Sequence, residues 1–341
     1  MKKGRLIYID VIRIIGMLLV VLAHSCASVI SQHALDRNWQ IANAVVVVTE
    51  MAVPLFFMVS GAMILNSKRT YSLKYLFKHR LTRILVPFIV WSVISAFANA
   101  AMNPRLDLHP INQIFSIYHQ PVLIAYWFIY PLVTLYLLSP LLKAALDKAS
   151  NTLIDYGLVL WFIFIVVLPA VSGSLPKDIG TYFDSYQMSR IVISKSIGYF
   201  ILGYRVTQME IPKHRVKYFP LNLFYILVLL AIEIIISFLS LDEQYVYLRI
   251  LSEAILPLVT ALVFLGLKSI EGGVPSWLAK IVELLAPLTY GVYLLHGIVI
   301  FYLQQFISYK DYWLVFGLTS VISLAVIGIL HLIPGVKRIF T

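Results

Sequence analysis

Three ionisable residues, Asp10, Arg13 and His24, fall inside one apolar stretch, residues 6–30, where a membrane span ordinarily carries none. An α-helix turns about 100° per residue, so the eleven steps from Arg13 to His24 return to within roughly 20° of one direction. The rise over those steps is roughly 16 Å, and Asp10 lies one turn below Arg13, about 40° off His24. The three form a polar line along one helix face. An arginine well inside hydrocarbon costs roughly 3 kcal/mol by insertion scales, so this face must look into protein or a water-filled cavity. Intramembrane charge of this kind reads as a working site. The alternative is a structural Asp–Arg pair beside one hydrogen-bonded histidine.

Other chemistry-bearing residues lie further along. Glu50 sits near mid-depth of a second apolar stretch, where an isolated carboxylate has to be protonated or paired. It would serve either as a catalytic carboxylate or as a counter-charge to Arg13. Pro54 frees a backbone carbonyl and Gly61 admits close helix approach, so a break there could line a cavity. Arg80 and Arg83 stand three apart at the end of the richest basic segment, one helical turn from each other. Two forked guanidiniums in one place suit a phosphate ligand, although stop-transfer charge and contact with anionic lipid would look the same. Tyr126, Trp127 and Phe128 open a span at an interface where aromatic belts are ordinary. Tyr290 and His296 are six residues apart, which puts them on opposite sides of an ideal helix. Lys195, Glu233 and Glu253 are further intramembrane charges to which the sequence assigns no partner. The single cysteine, Cys26, excludes an intrachain disulfide or a CxxC site and reads as a small apolar filler. No metal-ligand spacing is visible.

The elements that must position these residues are helices. Of 341 residues 60% are hydrophobic and 13% charged, with mean hydropathy +0.88, whereas soluble domains run near 25% charged. The expected fold is all-α, a polytopic membrane protein. Apolar runs of spanning length lie near 6–30, 39–65, 84–102, 125–142, 153–171, 190–207, 219–240, 248–266, 281–305 and 313–333. Ten spans put both termini on one side. On that scheme 19 of the 27 Lys and Arg residues fall on the side of the termini and six (Arg37, Arg105, Lys177, Arg190, Arg249 and Lys310) on the other, with Arg13 and Lys195 inside spans. By the positive-inside rule both termini are cytoplasmic, in an inner (plasma) membrane. The +11 formal charge is therefore largely a topology signal, and nucleic acid drops out as a partner. No cleaved signal peptide is evident, because the first apolar stretch is long enough to span and carries charges. One domain, 1–341, accounts for the chain, with the longest connections near 66–83, 103–124 and 172–189.

On these residues the chain resembles the acyltransferase-3 family of integral membrane O-acyltransferases, whose mark is an Arg, ten residues, then His, here Arg13 and His24. The likeness continues through Phe56-Phe57-x-x-Ser60-Gly61, the Arg-x-x-Arg of Arg80 and Arg83, Trp127-Phe128, and the Tyr-Leu-Leu-His that ends at His296. Within the family, a bare core with no fused domain is similar to the branch that O-acetylates the enterobacterial common antigen. The resemblance implies transfer of an acyl group, usually acetyl, from cytoplasmic acetyl-CoA to a hydroxyl of an envelope glycan or lipid-linked sugar. It carries the family's essential Arg and His onto Arg13 and His24, and its Arg pair onto Arg80 and Arg83. Asp10, Ser60, Trp127, Tyr290 and His296 would line the site.

Geometry is compatible with that chemistry. The roughly 16 Å from Arg13 to His24 matches an extended thiol arm of CoA, so phosphates held by Arg80, Arg83 and Arg13 would place a thioester near His24. His24 would act as general base, oriented by a carboxylate such as Glu50. A covalent acyl-histidine is the less economical route. No metal is required, and the partners are acyl-CoA, the acceptor and membrane lipids. Two readings from other classes stand beside this one: a transporter or flippase of a lipid-linked sugar, and a membrane sensor without turnover. The Arg80/Arg83 pair favours the enzyme.

Overall fold

The computed structural model describes residues 5–102, 109–174, 192–210, 219–242, 245 and 248–341. Lys2, Lys3, Arg105, Lys177, Arg190, Lys213, Arg215 and Lys217, all used in the charge count, lie outside the described residues, as does most of the connection 172–189.

The membrane helices are α1 (Ile7–Ile30), α2 (Arg37–Thr49), α3 (Ala52–Leu65), α4 (Thr82–Met102), α5 (Ile129–Leu146), α6 (Asn151–Trp161), α7 (Val192–Gln208), α8 (Phe219–Leu239) and α9 (Arg249–Ser269). They are followed by α10 (Ser276–Leu285), α11 (Thr289–Leu303), α12 (Tyr312–Leu332) and a short α13 (Lys337–Phe340). Among the described residues nine helical stretches are long and apolar enough to cross a membrane; α2 with α3, and α10 with α11, each count as one. The sixth expected span is described only over α7. The chain is an all-α polytopic membrane protein. Arg5 donates to the Glu283 carbonyl in the last turn of α10, and the Phe340 carbonyl receives Trp91 Nε1 at 3.2 Å and lies against Gly291. Arg5 and Phe340 thus pack on either side of the junction between α10 and α11.

Helix α1 packs against α2, α3, α11 and α12. Its first turn has no side-chain cap of its own. The Glu271 carboxylate supplies one from a distance, accepting from the backbone N–H of Ile7 (3.1 Å) and Tyr8 (2.8 Å), where a helix start favours negative charge. Three residues earlier, Lys268 Nζ donates to the carbonyls of Val206, Thr207 and Met209 at 2.8–2.9 Å, satisfying the last turn of α7. One short segment at the end of α9 therefore caps two other helices.

Glycine sets the closest helix contact. A Cβ on Gly61 would stand 1.7 Å from the Phe200 carbonyl oxygen, and one on Gly203 would stand 2.0 Å from that of Met58. Only hydrogen fits at either position, so α3 and α7 cross with their backbones touching.

The basic stretch 66–83, expected as a loop, is mostly helical. A 3-10 turn at Lys68–Tyr71 leads through Leu73–Tyr75 into a π-turn, Leu76–Leu81, that runs on into α4. The wide turn rotates the residues after it relative to an α-helical register, and Arg80 comes out facing the end of α3 rather than water alone.

Candidate active site

The inner half of the site is built on α1, α3, α4 and α5. Asp10, 6% exposed, receives Arg5 Nε at 2.5 Å and lies 3.6 Å from Arg13 Nη1. Arg5, which the sequence reading did not weigh, is the closer counter-charge, while Arg13 is held by attraction at more than hydrogen-bond length. Arg5, Leu6, Asp10, Arg13, Met63 and Pro287 wall a cleft of about 320 Å³. Arg80 Nη1 donates to Thr70 Oγ1 at 2.7 Å, and the Thr70 hydroxyl donates in turn to the Ile64 carbonyl. The guanidinium carbon of Arg80 also lies 5.6 Å from the centre of the Tyr75 ring.

One phenol lies within electrostatic reach of Arg13, Arg80 and Arg83. Tyr136 of α5 shares a hydrogen bond with the Ser60 side chain and feels the charge of all three guanidiniums. Sequence reading missed Tyr136. Its only signal is a polar atom within an apolar helix, and Tyr is common enough in such helices to be passed over.

A clamp at the ends of α3 and α5 fastens the basic segment. Tyr71 donates to Asp147 Oδ2 at 2.7 Å, and the buried Lys143 donates to the Leu65 carbonyl (2.7 Å) and to Asp147 Oδ1 (3.0 Å). Hydrogen bonding from Lys143 and Tyr71 holds the Asp147 carboxyl below its ordinary value, and the bond to Asp147 pushes the Tyr71 phenol up.

A ladder of rings on α11 leads from the cationic end toward His24. Tyr290 and Tyr293 stack at 6.5 Å, Tyr293 and His296 follow at 5.6 Å, and His296 meets His24 at 5.3 Å between centroids. Tyr290 and His296, expected on opposite helix sides, are linked because Tyr293 stands between them at i+3 from each; the spacing Tyr-x-x-Tyr-x-x-His carried that signal. Backbone carbonyls fix the ladder. Tyr290 donates to Ile84 O at 2.8 Å and Tyr293 to Ala125 O. His296 Nδ1 lies 2.5 Å from Tyr293 O. A carbonyl only accepts, so Nδ1 carries the hydrogen and Nε2 keeps a lone pair. That Nε2 is buried and has no hydrogen-bond partner among the described residues.

Trp127 is turned outward, 40% exposed. In the 3-10 turn Ile124–Phe128 successive residues point about 120° apart, so it is Tyr126 and Phe128 that face inward. Tyr126 donates to Leu294 O at 2.5 Å and pairs with Ser95 Oγ at 2.9 Å, and the Phe128 ring meets Tyr293 edge-on at 5.1 Å.

Glu50 joins neither the cationic end nor the ladder. It lies at the joint between α2 and α3, among Glu253 and Lys195, with Glu233 and Tyr199 in the same group. The expectation that it neutralises Arg13 gives way to the Asp10–Arg13 pair, and the ring in contact with His24 is His296. The reason is topological: α2 and α3 present position 50 toward α7, α8 and α9, whereas His24 looks toward α11. Lys195, without an assignable partner in the sequence, is 2.7 Å from Glu253.

The arrangement offers cationic donors at one end, an imidazole pair near the other and hydrogen-bonded rings between them. Residues 6–332 match the model of a family described as an acyltransferase domain, acyltransferase-3. No curated protein and no solved structure matches the chain. Because that match takes in nearly every residue, the Arg-x10-His helix and its ring ladder included, this chain belongs to the acyltransferase-3 family of membrane acyltransferases.

Proposed function

We propose that this protein transfers an acetyl group from cytoplasmic acetyl-CoA to a hydroxyl of an envelope glycan or lipid-linked sugar, in the plasma membrane. The observation that carries the reading is the pairing of His24 with His296 at 5.3 Å, roughly 16 Å along α1 from Arg13. Phosphates of CoA suit Arg80, Arg83 and Arg13, whose forked donors match anionic oxygens. Tyr136 and Ser60 would steer the arm beyond them.

At the far end His24 accepts the proton of the acceptor hydroxyl as that oxygen attacks the thioester carbonyl carbon. A C–O bond forms, the C–S bond breaks, and the departing thiolate takes the proton back from the imidazolium. His296 Nε2, with its lone pair fixed by the Nδ1–H bond, is suited to receive an N–H of His24 and hold its ring. That role replaces the carboxylate expected from the sequence.

Incubation of the purified protein with acetyl-CoA labelled in the acetyl group and a bacterial envelope extract tests the reading. Label is expected in an alkali-labile ester on a glycan or glycolipid. Label confined to free acetate, or none released from CoA, would overturn it.

A further inference from the structure

The Glu50 group has no part in the chemistry above, yet charge in this setting needs a reason. Glu253, the partner of Lys195, stands four residues from the start of α9 and Glu233 six from the end of α8. By helix rise each lies within roughly 9 Å of the end of its helix away from the basic side. His24 is also six residues from the corresponding end of α1, so Glu233, the Lys195–Glu253 pair and His24 share a depth, while Glu50, thirteen residues past Arg37 at the start of α2, lies deeper.

Two features point to a ligand. Glu233 is 1% exposed, and neither carboxylate oxygen has a hydrogen-bond partner among the described residues, an arrangement a folded chain keeps only where something else satisfies it. Conversely, the ion pair of Lys195 and Glu253 leaves those side chains 43% and 44% exposed, and Glu50 is exposed too. One acceptor-rich wall is buried and the other opens outward.

The chemistry of the group narrows the occupant. Three carboxylates against one ammonium repel phosphate, so this is not a second donor site. No three His, Cys, Asp or Glu side chains among the described residues could hold a metal ion together. A neutral molecule dense in hydroxyls fits: its O–H groups donate to carboxylates, and its oxygens accept from Lys195 and the Tyr199 hydroxyl. The Trp161 ring meets Tyr199 edge-on at 5.2 Å and packs on Gly198 of the same helix, which fixes the Tyr199 ring. We infer that Glu50, Glu233, Glu253 and Lys195, with Tyr199, form a subsite for the sugar headgroup of a membrane-bound acceptor, entering at the depth of His24. The assignment of that sugar as acceptor rests on the acyl-transfer reading; its binding does not.

The test separates the two. Wild-type protein in nanodiscs, without acyl-CoA, is treated with dicyclohexylcarbodiimide, which labels intramembrane carboxyl groups, and labelling of Glu50, Glu233 and Glu253 is followed by peptide mass spectrometry. Octyl glucoside, octyl galactoside and octyl N-acetylglucosaminide are added below their micelle concentrations, with octanol and phosphatidylethanolamine as comparisons. At least one glycoside should slow labelling threefold or more while octanol and the phospholipid do not. Equal protection by octanol, protection by phosphatidylethanolamine alone, or none by any glycoside overturns the subsite. Where a protecting glycoside is also acetylated, Glu50→Gln should raise its KM at least tenfold, and an unchanged KM in a folded variant counts against the subsite. Should Glu50→Gln not fold, the wild-type protection decides. Protection without acetylation keeps the subsite and sinks the transfer reading; acetylation without protection does the reverse.

Discussion

The imidazoles of His24 and His296, from the first and eleventh helices, lie 5.3 Å apart and inclined at 43°, and the second ring is pinned through Nδ1 to its own helix backbone. One histidine is thereby fixed in tautomer and orientation while the other faces it. His24→Ala is expected to cut acyl transfer by about a hundredfold or more while acyl-CoA still binds. His296→Ala should lower kcat about tenfold with little change in the KM for acyl-CoA, and His296→Gln, whose amide oxygen can stand in for Nε2, should recover part of that loss. Steady-state kinetics of the three variants, with melting curves for folding, check this. Full activity in His24→Ala would remove it from the mechanism.

Arg80→Ala and Arg83→Ala are expected to weaken acyl-CoA binding by about 1.5–3 kcal/mol each, the usual cost of a charge-assisted contact. Salt should weaken the wild type as well. Tyr136→Phe tests their shared focus: it removes the hydroxyl bonded to Ser60 and should lower kcat more than it alters CoA affinity. Calorimetric titration of acyl-CoA against each variant distinguishes these roles; wild-type affinity in both arginine variants would make the segment a topology anchor only.

Gly61→Ala forces a methyl into the Phe200 carbonyl. Backbone cannot rotate aside as a side chain can, so the two helices must separate. The expected loss is about 1–3 kcal/mol or more of stability, read as a fall in melting temperature, whereas Gly157→Ala, with open space around its Cβ position, should leave it nearly unchanged.

The inner clamp predicts a pH response. Asp147 has its carboxyl lowered by Lys143 and Tyr71, so its contribution is complete above the unfolded-state value, near 3.9, and is lost as pH falls through the lower folded value. The Tyr71 phenol is raised and keeps its proton through the neutral range. Acyl-CoA affinity should therefore be level from about pH 5 to 9 as far as this clamp is concerned. Asp147→Asn should weaken it modestly at every pH in that window. A wild-type affinity that falls steeply between pH 6 and 8 would show that another group governs the donor site.

Direction is the most exposed expectation. The donor enters from the basic side and the acceptor meets it near His24, roughly 9 Å from the other end of α1. With the protein in one orientation in sealed vesicles and acyl-CoA only on the N-terminal side, an impermeant acceptor should be acylated on the opposite side. Acylation restricted to acceptor on the donor side would overturn the direction and leave the transfer reaction intact.

Much of this protein is written in local sequence. Hydrophobicity over about 20 residues is enough to place a helix in a membrane, because an unsatisfied backbone there is too costly for any alternative. The spans, the basic side and the polar face of α1 follow from that rule and from helical periodicity alone. The pairs Arg13/His24 and Arg80/Arg83 could be proposed as site residues for the same reason, since each sits within one continuous helix or its end. What lies across helices was not. Nothing local to Glu50 says whether it faces Arg13 or Lys195; the crossing of α3 and α7 through Gly61 and Gly203 and the packing of α8 beside α2 settle it. The caps from Glu271 and Lys268 and the setting of Tyr136 were likewise invisible, because each depends on a partner brought near only by packing. Sequence set which residues could do chemistry, and the tertiary fold sorted them into an inner cationic cluster, a histidine pair and a separate carboxylate group, because side-chain partners in a bundle are chosen by which helix faces meet.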